Sequence, residues 1–176
     1  ILSAPILWLF MHDYQKNRIL NFLDPNRDPY GTGYNVMQSQ IAIGSGGMFG
    51  LGVGKGWQSQ MNFLPVAYSD FAFAVLAEAL GFFGSILALV SYLYLGWYIW
   101  NLAYKAVDRF AFYILAGIGS VLIFQIFVNI GMNLGVVPVT GIPLPLISSG
   151  GTAIVTTMIF FGLVLSIRKN INLSKV

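Results

Sequence analysis

The sequence contains no cysteine and a single histidine, and charged residues make up only 9% of its 176 positions. Without cysteine there are no disulfides, no thiol catalysis and no cysteine-ligated zinc, whichever redox compartment the chain occupies. One histidine, His12, rules out a histidine metal triad or a Ser-His-Asp triad assembled within the chain. Its place beside Asp13 fits an interfacial residue better than a base. The scarcity of charge excludes more. Soluble domains carry about 25% charged residues, and a chain that is 57% hydrophobic with a mean hydropathy of +0.75 lacks the polar surface such a domain needs. Nine bases and six acids set the pI near 9.2, but the bases are too few and too scattered to track a nucleic-acid backbone.

What is present is a membrane pattern. Residues 1–11 are apolar and then meet His12, Asp13, Lys16 and Arg18, so they read as the end of a transmembrane helix about half the length of a full crossing. They have no basic start and no small-residue cleavage site, so they are not a signal peptide. The expectation is the C-terminal part of a longer membrane protein. Three complete apolar spans follow, placed at 70–100, 110–133 and 152–167, the first ending in the aromatic cluster Trp97, Tyr98, Trp100 and Tyr104. Lys105 and Arg109 in the 101–109 loop, and Arg168, Lys169 and Lys175 in the 168–176 tail, place both segments on the cytoplasmic side. Residues 12–69 and 134–151 are then extracytoplasmic loops.

The longer loop holds four bases, Lys16, Arg18, Arg27 and Lys55, which its length permits. It is turn-rich at 24–31, helix-compatible from Tyr34 to Ile43, and glycine-rich from Gly44 to Gly56. The glycine run is not a phosphate loop: Phe49 stands where Walker A needs glycine, and Gly56 where it needs Ser or Thr. Small residues spaced four apart, Gly46/Gly50 and Gly50/Gly54, predict close backbone packing instead. Residues 134–151 carry Pro138, Pro143 and Pro145, which predicts irregular backbone lining a cavity.

Only Asp70 and Glu78 place a carboxyl at or within membrane depth, where ionisable groups are costly and functional by default. Asp70 precedes an unbroken apolar run at its external mouth. It fits either a helix N-cap shared with Ser69 or a reactive carboxylate. Glu78 lies about 12 Å deeper at 1.5 Å per residue. It fits either a functional acid or a buried structural carboxyl partnered by Gln125, Asn129 or Asn133 on a neighbouring helix.

A family resemblance bears on these choices. Pro5-Ile6-Leu7-Trp8, Met11-His12-Asp13-Tyr14-Gln15, Phe22-Leu23-Asp24-Pro25, Ala42-Ile43-Gly44-Ser45-Gly46-Gly47, Asp70-Phe71-Ala72-Phe73-Ala74-Val75-Leu76-Ala77-Glu78, Phe127-Val128-Asn129-Ile130-Gly131-Met132 and Pro138-Val139-Thr140-Gly141-Ile142-Pro143-Leu144-Pro145 together resemble the SEDS family (RodA, FtsW, SpoVE). The block Met11-His12-Asp13-Tyr14 leans toward its rod-shape, elongation branch. The resemblance implies an all-α polytopic membrane protein, with this chain supplying the last four of about ten transmembrane helices and the large external loop. It further implies an enzyme of the bacterial cytoplasmic membrane that polymerises lipid II onto a nascent glycan strand, beside membrane lipids and a class B penicillin-binding protein that crosslinks the strands. Asp70 is then the catalytic carboxylate. Inverting the α-linked donor to a β-1,4 bond needs one base on the acceptor hydroxyl and cations on the leaving diphosphate. The candidate substrate-binding residues are Arg18, Arg27, Lys55, Glu78, Ser148 and Ser149, with a divalent cation, Mg or Mn, as the alternative to basic side chains and no organic cofactor. The sequence departs from the family pattern at Val66, Tyr68 and Ser69 before Asp70, at Ala79 after Glu78 and at Ser149. Two other functions use the same acids or surfaces: a lipid II flippase working through the same cavity, and a scaffold that only docks and activates the crosslinking partner.

Overall fold

A computed structural model describes residues 11–24, 31–60, 69–106 and 108–173. They form six helices: α1 (Asp13–Leu23), α2 (Thr32–Ser45), α3 (Trp57–Gln60), α4 (Ala72–Tyr104), α5 (Arg109–Asn133) and α6 (Gly151–Leu173). No strand occurs among the described residues. The expected half-span at 1–11 falls almost wholly outside them.

Among the described residues, three helices are long and apolar enough to cross a membrane: α4, α5 and Gly151–Ile171 of α6. Their bounds overrun the expected spans at several ends. The aromatic cluster lies inside α4, which continues through Asn101 to Tyr104, because nothing in Asn-Leu-Ala-Tyr breaks a helix. Asp108 starts α5 by accepting the Phe110 N–H at 3.1 Å, as an N-cap should. Near the α4–α5 turn, Ile99, Leu102, Ala103, Leu115, Ile118, Leu122, Val164 and Ile171 form one core joining α4, α5 and α6. Arg168 of α6 stacks over Tyr98 of α4, 5.9 Å from the ring centre. Lys105, Arg109, Arg168 and Lys169 therefore gather at one end of the bundle, and the α4 start, the α5 end and the 134–150 segment at the other.

The described parts of the 12–69 segment are largely helical. Gln15 takes the His12 N–H at 3.1 Å and starts α1, and α2 extends the expected Tyr34–Ile43 helix at both ends. The turn-rich stretch falls mostly at 25–30, outside the described residues.

The α4 run, expected to be unbroken, is kinked at Gly81, where φ is 67° and ψ −162°. The glycine run causes this. Leu51 and Gly52 donate to the carbonyls of Glu78 and Ala79 at 3.0 Å, and Phe82 donates to Gly47 at 2.8 Å. Strand-like bonds to another segment thus replace helical ones around the kink. A Cβ on Gly81 would collide with the Gly50 nitrogen, and one on Gly50 with the Ala79 carbonyl. Backbone lies directly on backbone, as the spacing of the glycines led us to expect.

Candidate active site

Asp70 sits half-buried in the turn before α4. Both peptide groups that flank its Cα are held by side chains from elsewhere. The Ser148 hydroxyl donates to the Ser69 carbonyl at 2.6 Å and accepts the Leu144 N–H at 2.8 Å. The Asn129 amide donates to the Asp70 carbonyl at 3.0 Å and to the Ile142 carbonyl at 2.8 Å. Asn133, one helical turn on, donates to the Asp70 carbonyl at 3.3 Å and to the Asn129 carbonyl at 2.8 Å. Asn129 and Asn133 are fully buried and Ser148 is 3% exposed, so these bonds are shielded from competing water.

The N-cap expected of Ser69 or Asp70 goes to another residue. The cap position is Phe71 and no side chain of that turn caps α4; instead Asn133 Oδ1 accepts the Ala74 N–H at 3.2 Å from the neighbouring helix. Among the described residues, none donates to the Asp70 carboxylate. Gly141, with φ 75°, passes beside it, and a Cβ there would stand 3.4 Å from Asp70 Oδ2.

Glu78 is fully buried, and its Oε1 accepts the Gln58 N–H at 2.9 Å. The partners expected for it, Asn129 and Asn133, serve Asp70 and the 134–150 segment instead. Glu78 anchors α3 against α4 beside the glycine run.

The remaining candidates are dispersed. Arg18 lies on α1, donates from Nη1 to the Val139 carbonyl at 2.8 Å, bonds the Tyr14 hydroxyl and stacks over that ring at 4.3 Å. It lines a cavity of about 310 Å³ with Asn21, Thr32, Gln40, Gly135 and Val139. The proline-bearing segment is irregular, as expected, and forms one wall. Val139 is two residues from Gly141, so Arg18 and Asp70 contact the same short stretch of chain. Lys55 is exposed at the tip of the glycine turn, where its N–H bonds Gly52 at 3.1 Å. Ser148 is committed to main chain, and Ser149 is exposed. Arg27, Val66 and Tyr68 lie outside the described residues. Among those described, no three His, Cys, Asp or Glu side chains come together.

Sequence reasoning missed the Asn129–Asn133 clamp on Asp70. The four-residue spacing on one helix face was visible, but nothing local told which acid the pair served.

The whole of residues 1–173 matches the FtsW/RodA/SpoVE family model, described as cell cycle protein. The chain is 49% identical over 164 residues to the peptidoglycan glycosyltransferase MrdB of Escherichia coli K12, covering 93% of this chain and 44% of that protein. It is 41% identical over 154 residues to the peptidoglycan glycosyltransferase RodA of Treponema pallidum, with 88% and 36% covered. With stage V sporulation protein E of Bacillus subtilis it shares 37% over 169 residues, with 96% and 44% covered. A chain of a solved peptidoglycan synthase complex, described as coordinating polymerization and crosslinking, superposes with a TM-score of 0.71 at 33% identity, over 97% of this chain and 46% of that one. The chain thus spans less than half the length of these relatives. A match over nearly every residue, together with an all-helical fold shared with a solved member of such a complex, shows that this chain belongs to the FtsW/RodA/SpoVE family of multi-pass membrane proteins.

Proposed function

We propose that the intact protein carrying this segment polymerises lipid II into β-1,4 glycan strands at the outer face of the bacterial cytoplasmic membrane, with Asp70 as the base. The carrying observation is the Asp70 carboxylate itself: free of donors among the described residues, relieved of capping its own helix, and held by its main chain at the end of the bundle opposite Lys105, Arg109, Arg168 and Lys169. The depth suits lipid-anchored substrates. α5 has 25 residues and, at 1.5 Å each, rises about 37 Å, against a hydrocarbon core of about 30 Å. Asn133 and Asp70 then stand in the headgroup layer when Arg109 is at the opposite interface.

The mechanism is one displacement. Asp70 accepts the proton of the acceptor 4-hydroxyl as that oxygen attacks the donor's anomeric carbon. The bond to the undecaprenyl diphosphate oxygen breaks, and the anomeric configuration inverts. The departing diphosphate gathers negative charge and requires cations. Arg18 is the basic residue whose contacts reach the same stretch of chain as Asp70, and Arg27 and Lys55 remain proposed contributors. No step is routed through a metal. The glycosyltransferase names of the Escherichia coli and Treponema relatives support the activity, and the solved complex supports a class B penicillin-binding protein as partner.

The test is lipid II polymerisation by the intact protein copurified with its crosslinking partner, comparing wild type with Asp70→Asn on a gel of labelled strands. Strands from wild type and none from a folded, partner-bound Asp70→Asn are expected. Equal strands from both would remove Asp70 from the chemistry. No strands from either would favour transport or scaffolding.

A further inference from the structure

We infer that Asn129, Asn133 and Ser148 are positioning residues for the Asp70 carboxylate, an inference that rests on the reading of Asp70 as the base. The Ser69 and Asp70 carbonyls belong to the two peptide planes on either side of the Asp70 Cα. Ser148 holds the first at 2.6 Å, and Asn129 and Asn133 hold the second at 3.0 and 3.3 Å. With both planes held, the direction of the Cα–Cβ bond is set and only two side-chain torsions remain.

The same groups shape what surrounds the carboxylate. Asn129 spends its second N–H on the Ile142 carbonyl, which draws the proline-bearing segment onto the turn. The neighbouring Gly141 then abuts Asp70 Oδ2 without a side chain to fill the approach. Ser148 ties in the other arm of that segment through the Leu144 N–H. Asn133 accepts the Ala74 N–H beside the Phe71 carbonyl, so the first turn of α4 does not draw on the Asp70 carboxylate, which stays available for a proton from outside. All three residues are at least 97% buried and spend their hydrogen bonds on main chain or, for the Asn133 amide and Asn129 Oδ1, on each other, so they act through Asp70 rather than on substrate.

The experiment measures kcat and KM for lipid II in the intact protein with its partner, for Asn129→Ala, Asn129→Asp and Ser148→Ala, with a thermal midpoint for each. Asn129→Asp keeps the shape and removes the amide donor. Thr157→Val is the control: Thr157 is a buried polar residue whose hydroxyl bonds only the Ala153 carbonyl of its own helix. Displacing a reacting group by about 1 Å costs on the order of 100-fold. A fall in kcat of about 10- to 100-fold with KM within about threefold is therefore expected for the Asn129 and Ser148 variants. Thr157→Val at a matched thermal midpoint is expected to keep its kcat. Wild-type kcat in Asn129→Asp and Ser148→Ala would overturn the inference, as would a loss that tracks thermal midpoint along the same line as Thr157→Val. Asp70→Asn, run alongside, separates the two readings. If it is inactive while the positioning variants are normal, only this inference fails; if it is as active as wild type, the assignment of the base fails first.

Discussion

Asn133 Oδ1 accepts the Ala74 N–H at 3.2 Å, so α4 is capped by a residue of α5 that is 59 positions away in the chain. The arrangement joins helix initiation to tertiary packing. Replacing Asn133 with alanine removes the cap and one donor to the Asp70 carbonyl together, and is expected to cost about 1–3 kcal/mol. Asn133→Asp keeps the acceptor and should recover part of that loss in a thermal melt of the purified protein. Equal melting of Asn133→Ala and wild type would show that the cap contributes nothing.

Glu78 is expected to be a structural acceptor. Glu78→Gln keeps an oxygen facing the Gln58 N–H and should polymerise lipid II within about threefold of wild type. Glu78→Ala removes the acceptor of the part-buried Gln58 N–H, at about 1–3 kcal/mol. A Glu78→Gln protein that folds but makes no strands would move Glu78 into the substrate site.

The kink at Gly81 admits no side chain. Its φ of 67° and the Gly50 backbone against it make Gly81→Ala destabilising by more than about 2 kcal/mol. Loss of the monodisperse peak in detergent chromatography would register this. Gly117, with open space around it, is the matched helical control, and Gly117→Ala is expected to be neutral or mildly stabilising.

Arg18 bridges α1 to the proline-bearing segment through the Val139 carbonyl. Arg18→Ala should lower stability by about 1–2 kcal/mol. Arg18→Lys should not restore it, because an ammonium lacks the planar fork that reaches Val139 and Tyr14 together. Full recovery of stability and activity with lysine would show that only the positive charge matters.

The orientation is testable because the segment has no cysteine of its own. With the two ends of the bundle on opposite sides, a membrane-impermeant maleimide added to intact spheroplasts is expected to label Val136→Cys and to spare Lys105→Cys until the membrane is opened. The reverse pattern would invert the topology and place Asp70 inside.

Composition and hydropathy determined that these residues make membrane-spanning helices, and local chemistry determined where they are interrupted. Runs of apolar residues can end only at polar or proline-bearing stretches, and three prolines between α5 and α6 leave no regular helix. Glycines four apart announced close packing because only glycine lets one backbone touch another. A carboxylate at the mouth of a span marked Asp70 as costly enough to need a reason. The tertiary structure decided the rest. Whether Asp70 would cap its own helix or stay available depended on Asn133, and whether Asn129 would serve Glu78 or Asp70 depended on how α5 lies along α4. Ser148, a candidate for substrate contact, was turned to the Ser69 carbonyl 79 residues away. The kink at Gly81 is invisible in an apolar run, since its cause is hydrogen bonding from residues 47–52. A side chain's type is local, whereas the identity of its hydrogen-bond partner is set by packing between segments distant in sequence.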